Sequence, residues 1–226
     1  MSKFLTIQLQ NHSEVPADSR PGTGQIELIL ASASPRRHEL LKQVGISYRV
    51  VVSDADESSI AGETPADYVS RVARLKAEAV AGMDETGLPV LAADTAVVID
   101  DEILGKPGNQ AEARDMLRRL GGRVHEVFSA VVLIDANRQV TSRLNVTRVR
   151  FADLKEDWIA AYCATGEPMD KAGAYGVQGC AAHRIAEIAG SYSGVMGLPL
   201  FETLELLNSA GLRLPPLNRV NGELSP

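Results

Sequence analysis

The sequence has few cysteines, no long apolar run and no excess of positive charge. Its two cysteines, Cys163 and Cys180, lack metal-ligand spacing, which favours reduced thiols over a disulfide or a zinc site. No apolar stretch approaches the roughly 20 residues that span a bilayer, and residues 1–25 lack the apolar core of a secretory signal. The net charge of −6 argues against a protein that coats nucleic acid, although a small anionic ligand stays compatible with it. We therefore expect a cytoplasmic protein with no membrane or nucleic-acid partner.

The organisation of the chain indicates one α/β domain. Residues 1–24 are predicted to be a flexible N-terminal arm and residues 213–226 a C-terminal tail, which leaves a domain over 25–212. Strand and helix signals alternate, and two long strands form a predicted hairpin, so we expect a mixed twisted sheet flanked by helices. The main predicted strands cover 26–31, 48–52, 90–93 (with 97–99 as a candidate continuation), 125–134, 140–151 and 184–188, and the main predicted helices cover 66–83, 109–120, 154–163 and 199–207.

A strand, a hydroxyl-rich turn and a helix start follow one another over residues 26–41. Ser34 is a good helix N-cap, and Pro35 suits the first helical position because its missing N–H would be unpaired there. Arg36 and Arg37 then place two cations at the positive end of the helix dipole, which is unfavourable unless an anion binds there. Phosphate is the anion that this arrangement favours. The alternative is a pair of solvated arginines on a surface helix.

Two lysines are candidates to bind the same phosphate as these arginines. Lys76 lies on the apolar face of its predicted helix, where it is either a stem that reaches the edge of the core or an ammonium directed inward at a phosphate. Lys106 lies between Gly105 and Pro107, and the tripeptide alone favours a simple turn lysine over a phosphate-binding one. The phosphate-binding Walker spacing is absent from this segment.

Carboxylates follow two of the predicted strands. Asp94 ends the small-residue strand segment Val90–Ala93, at the strand end where α/β sheets form ligand crevices. It is a candidate to bind Mg²⁺ or Mn²⁺ or to orient an attacking water, and the alternative is a residue that closes a turn. Glu57 belongs to an acidic loop with Asp54 and Asp56, which is either solvated or holds the divalent metal that bridges phosphates.

The glycine-rich stretch 166–179 is predicted to be a structureless functional loop. Within it, Gln178 offers both a hydrogen-bond donor and an acceptor, which suits the edge of a nucleobase. His125 has no second His or Cys at metal spacing, so we interpret it as a structural hydrogen-bonding residue.

Together these segments resemble the Maf (septum-formation inhibitor) family of nucleoside triphosphate pyrophosphatases. The resemblance covers about residues 26–208, with the segments in the order of the family. The segments that carry it are ASASPRRHELL, the DES of 56–58, YVSRVARLKA, AADTAVV, GKP, GGRVHEVFSAV, GEPMDKAGAYGVQG and GSYSGVMGLPL.

The resemblance implies a fold like that of the inosine triphosphate pyrophosphatases with a central cleft, a homodimer, and metal-dependent cleavage of a nucleoside triphosphate to the monophosphate and pyrophosphate. It assigns the general base to Asp94 and the divalent metal (Mg²⁺ or Mn²⁺) to Glu57 and Asp94. The phosphate-binding positions that it implies are Ser32, Arg37, Lys76 and Lys106. The positions that mark the branch acting on dTTP and UTP are Arg36, Thr95 and Gln178.

Two other functions stay open beside the dTTP and UTP branch. A sister branch acting on 7-methyl-GTP typically has Trp at the position of Arg36, so Arg36 favours the pyrimidine branch. A non-catalytic nucleotide-binding regulator of cell division is opposed by the intact Asp94, Glu57 and Lys76. The chain departs from the family pattern at Ser129, where Thr is usual, and over residues 180–184, where glycine and an aromatic are usual. The second departure leaves the fine selectivity of the base pocket open.

Overall fold

The computed structural model describes residues 28–52 and 54–212. The predicted N-terminal arm over 1–24 and the predicted tail over 213–226 lie outside the described residues. Within the described ranges, no helix combines the length and the apolar character that a bilayer crossing requires.

A mixed sheet of seven strands forms the centre of the molecule. Its path runs β2, β1, β3, β5, β6 and β7, and β4 pairs with β3 outside this path. β1 is parallel to β2 and β3, whereas β3 with β5, β5 with β6, and β6 with β7 are antiparallel. The strands are β1 (Leu28–Leu30), β2 (Tyr48–Val50), β3 (Val90–Ile99), β4 (Glu102–Leu104), β5 (Val124–Ile134), β6 (Val140–Phe151) and β7 (Ile185–Ala189).

Helices flank this sheet and begin at the caps that the sequence provides. Thr64 accepts a hydrogen bond from the Asp67 amide at the start of α2, and Asn109 accepts one from the Glu112 amide at the start of α3. These side chains satisfy amides that the first helical turn leaves without backbone partners. The helices are α1 (Pro35–Gln43), α2 (Pro65–Met83), α3 (Gln110–Leu120), α4 (Glu156–Ala164), α5 (Tyr192–Met196) and α6 (Leu200–Ser209).

The core has a layer on each face of the sheet. Ile29 of β1 packs towards Ala73, Ala77 and Val80 of α2, whereas its strand neighbours face the layer under α1 and α6. Successive side chains of a strand point to opposite faces, so a fully buried strand such as β1 needs helices on both sides. A third cluster joins α3 and α4 to the far end of β3. The prediction of a mixed sheet flanked by helices is confirmed.

Two local predictions differ from the structure, and two short elements were not predicted. Asp94 does not end its strand, because β3 continues through it from Val90 to Ile99. The stretch 166–179 is not structureless, since it contains short 3₁₀ turns at Glu167–Asp170 and Ala172–Ala174. One of these turns is held by a hydrogen bond from the Gly173 amide to the Gly105 carbonyl, which is a partner far along the chain. The short strand β4 and the five-residue helix α5 were not predicted. Elements of this length depend on tertiary contacts more than on local sequence periodicity.

Candidate active site

One cavity gathers most of the residues that the sequence marks as functional. It encloses about 550 Å³ between the start of α1, the middle of β3, the loop after β4 and the glycine-rich stretch. A volume in this range suits a small-molecule ligand. The predicted site residues that line it are Ser32, Arg36, Arg37, Glu57, Lys76, Asp94, Thr95 and Lys106.

Lys76 joins two carboxylates inside this cavity. Its Nζ lies 2.8 Å from Asp94 Oδ1 and 3.0 Å from Glu57 Oε1. The side chain of Lys76 is only 13% exposed, so its ammonium is directed inward rather than out to solvent. These contacts favour the interpretation of Lys76 as an ammonium directed into the cavity.

Asp94 is a buried carboxylate whose pKa reflects opposing influences. Burial raises its pKa above the ordinary aspartate value, because a low-dielectric surrounding disfavours the charged form. The ammonium of Lys76 and the guanidinium of Arg37 act in the opposite direction and lower that pKa. A buried carboxyl with a raised pKa in a cleft is typical of a catalytic acid or base.

Arg37 is fixed by hydrogen bonds on two sides. Its Nε donates to the Gly197 carbonyl at 2.8 Å, and its Nη1 donates to Ser32 Oγ at 3.0 Å. Burial lowers the pKa of Arg37, an effect that the nearby Asp94 carboxylate opposes. Gly197 has a φ of 115°, a left-handed backbone conformation that favours glycine and that turns its carbonyl to this guanidinium.

The turn before α1 is organised by Ser32 rather than by the cap residue. Ser34 occupies the N-cap position as predicted, but its side chain makes no capping hydrogen bond. Instead the Ser34 amide donates to Ser32 Oγ at 3.2 Å. His38 Nε2 lies 3.2 Å from the Ser32 carbonyl and supports the same turn from the helix side.

The two adjacent arginines point to different partners. Arg36 Nη1 lies 3.5 Å from Asp170 Oδ2, whereas Arg37 contacts Ser32 and Gly197. Lys171 Nζ donates to the other oxygen of Asp170 at 2.6 Å. Asp170 and Lys171 thus form a charged rim beside Arg36, and Asp170 was not singled out from the sequence because a lone Asp beside Lys has no distinctive spacing.

Lys106 lines the cavity, whereas Gln178 does not. Lys106 is exposed on the cavity wall, and it makes no ion pair with any residue in the part of the chain that the structure describes. Gln178 is exposed and lies outside the lining, although its neighbours Gly176 and Val177 belong to it. The buried side chain of Val177 packs into the core, and the next side chain faces solvent. The structure therefore does not bring Gln178 to the site.

Thr95 lines the cavity next to Asp94 and is hydrogen-bonded to a buried serine. Its Oγ1 lies 3.0 Å from the Oγ of Ser129, which the sequence marked only as a departure from the family pattern. Across the strand ladder these two residues are direct partners of β3 and β5. Nothing in their spacing of 34 residues along the chain could have shown this contact.

The carboxylates of this site fit a divalent cation that is shared with a phosphate ligand. Glu57 and Asp94 offer hard oxygen donors that converge on one point, now occupied by the Lys76 ammonium. Mg²⁺ is typically held by one or two carboxylates together with substrate phosphates. Among residues 28–52 and 54–212, no group of three or more His, Cys, Asp or Glu side chains could hold a metal by itself. A divalent cation at Glu57 and Asp94 would therefore need further oxygen donors from a ligand.

Comparisons with known proteins identify the family of this chain. The family model described as Maf-like protein matches residues 27–210. A dTTP/UTP pyrophosphatase of Methylobacillus flagellatus is 52% identical over 83% of this chain and 94% of its own length. One of Ralstonia nicotianae is 50% identical, over 83% and 95%. The solved Ham1 protein of Staphylococcus aureus, at 15% identity and a TM-score of 0.46 over 80% of this chain and 96% of that one, is too distant to bear on the site. By its sequence and the extent of the match, this chain belongs to the Maf-like protein family.

Proposed function

We propose that this protein is a metal-dependent nucleoside triphosphate pyrophosphatase that hydrolyses dTTP and UTP. The products are the nucleoside monophosphate and pyrophosphate. The proposal is supported by relatives about 50% identical that are named dTTP/UTP pyrophosphatases. The observation that carries it is the buried Asp94 carboxylate held by Lys76 in a cavity that also contains Arg37 and Lys106.

Asp94 is the general base in this mechanism. Its Oδ1 accepts a hydrogen bond from Lys76, and no described residue donates one to Oδ2, which is thus available to a water molecule. Asp94 takes a proton from that water as its oxygen attacks the α-phosphorus. The bond from the α-phosphorus to the bridging oxygen breaks, and pyrophosphate leaves with the electron pair. A raised pKa brings a carboxylate closer to the operating pH, where general-base catalysis is most effective.

The cations of the cavity hold the triphosphate and the charge that develops on the leaving group. Arg37 is preorganised by Gly197 and Ser32, so it loses little freedom when it binds a phosphate. Lys76 and Lys106, which both line the cavity, contribute ammonium groups. A divalent metal bound with the substrate at Glu57 and Asp94 would supply further neutralisation of the phosphate oxygens.

Base recognition in this proposal rests on Arg36 and Thr95. Both line the cavity, whereas Gln178 does not, so we exclude Gln178 from the proposed base site. Asp170 pairs with the Arg36 guanidinium at the rim, whereas Arg37 contacts Ser32 and Gly197.

A nucleotide panel tests the reaction. Purified protein is incubated with dTTP, UTP, CTP or 7-methyl-GTP in the presence of Mg²⁺ or Mn²⁺, and the products are separated by ion-exchange chromatography. We expect monophosphate and pyrophosphate from dTTP and UTP, and ¹⁸O from labelled water in the monophosphate. Release of orthophosphate, or label in pyrophosphate, would contradict attack at the α-phosphorus.

Substitution of the proposed base gives a quantitative test. Asp94→Asn removes the proton acceptor and should lower kcat by about 10²- to 10⁴-fold while nucleotide still binds. Asp115→Asn changes an exposed carboxylate on α3, outside the cavity, and should leave kcat unchanged. Turnover close to that of the wild type in Asp94→Asn would refute the assignment.

We also propose that the protein is a cytoplasmic homodimer, as the resemblance to the family implies. Light scattering coupled to size-exclusion chromatography should then give twice the mass of the chain. The mass of a single chain at micromolar concentration would contradict the dimer.

A further inference from the structure

Ser129 is completely buried and lies beside the cavity residue Thr95 on the neighbouring strand. It lies on β5 opposite Thr95 of β3, and its side chain has no exposed surface. Its Oγ has two polar neighbours: the Gly194 carbonyl at 2.7 Å and Thr95 Oγ1 at 3.0 Å. Ser129 therefore links the substrate cavity to the segment that carries α5.

The direction of these hydrogen bonds follows from the number of protons available. A serine hydroxyl has one proton, and a carbonyl oxygen can only accept. The short contact with Gly194 thus uses the proton of Ser129, and the Ser129 oxygen must accept from Thr95. The only other acceptor for the Thr95 proton among the described residues is the Gly197 carbonyl, at 3.5 Å. With either acceptor, Ser129 Oγ or the Gly197 carbonyl, the hydroxyl proton of Thr95 points into the protein and away from the cavity.

Thr95 consequently presents only lone pairs to the cavity. A ligand group that contacts its oxygen has to donate a hydrogen bond, so an ionised phosphate oxygen is disfavoured there. Uracil and thymine carry an N3–H donor between two carbonyl groups, whereas cytosine has an acceptor lone pair at N3. As an acceptor, the Thr95 hydroxyl can therefore bind the N3–H of uracil or thymine. It cannot form a hydrogen bond with N3 of cytosine, which is also an acceptor.

We propose that Ser129 is a specificity-positioning residue, which sets the Thr95 hydroxyl as an acceptor for the N3–H of the substrate base. This inference rests on the proposed function and deepens it, since it names the atom of the base that is read. Ser129 does not touch the substrate and acts only through Thr95. The hydroxyl is what matters, so the threonine usual in the family would serve the same purpose.

Substrate analogues test which atom is recognised. The wild-type protein is assayed with UTP, 5-methyl-UTP, 3-methyl-UTP and CTP, and with 3′-deoxy-UTP to test a donor on the sugar. We expect kcat/KM to fall about 10- to 100-fold for 3-methyl-UTP and CTP, which lack the donor, and to change little for 5-methyl-UTP and 3′-deoxy-UTP. Equal kcat/KM for UTP and 3-methyl-UTP would overturn the proposal, as would a large loss with 3′-deoxy-UTP alone.

Substitutions of Ser129 test its positioning role. Ser129→Ala removes the acceptor for the Thr95 proton, so the hydroxyl can turn and donate to N3 of cytosine. The UTP:CTP ratio of kcat/KM should then fall about tenfold, and Ser129→Thr should keep the ratio of the wild type. Thr203→Ala is the matched control, because Thr203 is also buried and donates to a carbonyl at 2.7 Å, that of Pro199, outside the cavity. It should lower stability without a change in the ratio.

The role of Ser129 and the proposed pyrophosphatase reaction can fail independently in these experiments. Absence of pyrophosphate with every nucleotide refutes the reaction, whereas cleavage with an unchanged UTP:CTP ratio in Ser129→Ala overturns the role of Ser129 alone. Calorimetric binding of UTP and 3-methyl-UTP to Asp94→Asn gives the same comparison without turnover. Equal affinities, or no binding of either nucleotide, would overturn the hydrogen-bond assignment.

Discussion

The buried carboxylate of Asp94 combines a functional charge with an unfavourable environment. Burial disfavours its ionised form, and Lys76 and Arg37 offset part of that cost. A carboxyl whose pKa is raised by folding binds its proton more tightly in the folded state than in the unfolded chain. Its contribution to stability is therefore greatest below the unfolded pKa and is lost as the pH rises through the folded pKa.

Asp94→Asn should consequently raise the thermal stability of the protein at pH 7 while it removes activity. The neutral amide avoids the cost of a buried charge, and its oxygen can still accept from Lys76. Thermal melts at pH 4 and pH 7 check this, with a higher Tm of the variant at pH 7 and a smaller difference at pH 4. Asp115→Asn serves as the exposed control, and a lower Tm of Asp94→Asn at pH 7 would contradict the explanation.

Among the elements, α3 begins immediately after the loop that carries Lys106. Asn109 Oδ1 accepts from the Glu112 amide at 3.0 Å, and the Glu112 carboxylate accepts in return from the Gly108 amide at 2.8 Å. The two hydrogen bonds tie the N-cap residue and the glycine before it to the first turn of α3. The cap therefore fixes both the helix and the end of the Lys106 loop.

Asn109→Ala should lower the free energy of unfolding by about 1 kcal/mol, because an N-terminal amide of α3 loses its partner. We expect kcat to stay unchanged, since Asn109 lies outside the cavity. Urea denaturation provides the measurement. Gln110→Ala, at an exposed position in the same turn that does not cap the helix, is the control, and a loss as large in the control would argue against the cap as the cause.

At the scale of the whole molecule, a buried aromatic cluster joins the sheet to the glycine-rich stretch. His125 of β5 stacks on Phe151 of β6, and its Nε2 lies 2.8 Å from the hydroxyl of Tyr175, which lines the cavity. Burial lowers the pKa of His125 to about 4, so the imidazole is neutral at physiological pH. The interpretation of His125 as a structural hydrogen-bonding residue agrees with this placement.

The stability of the protein should fall as the pH drops from 6.5 towards 4. In that range the unfolded chain binds a proton at His125 that the folded protein excludes, and the stability present above pH 6.5 is progressively lost. For this shift the loss is on the order of 3 kcal/mol. His125→Phe should flatten the pH dependence, whereas His183→Phe, at an exposed histidine, should retain it. Equal curves for the wild type and His125→Phe would refute this account.

The sequence by itself determined the elements that depend on local chemistry. The strand segment that leads to Asp94, the helix that carries Lys76 and the start of α3 were predicted, because hydrophobic periodicity and helix-start signals act between residues close in the chain. The end of the strand at Asp94 was predicted wrongly, since β3 continues to Ile99. Family resemblance added the roles of Arg37, Lys106 and Glu57. It also placed Gln178 at the base, a position that the structure does not bring to the cavity.

Only the tertiary structure decided how these residues meet. Contacts between residues far apart in the chain direct Lys76 inward to Asp94 and Glu57, separate Arg36 from Arg37, and fold the glycine-rich stretch into 3₁₀ turns. The same holds for Ser129, whose partners lie 34 and 65 residues away along the chain. The direction of a hydroxyl proton depends on which acceptors the fold brings to it, and no pattern in the sequence specifies those acceptors.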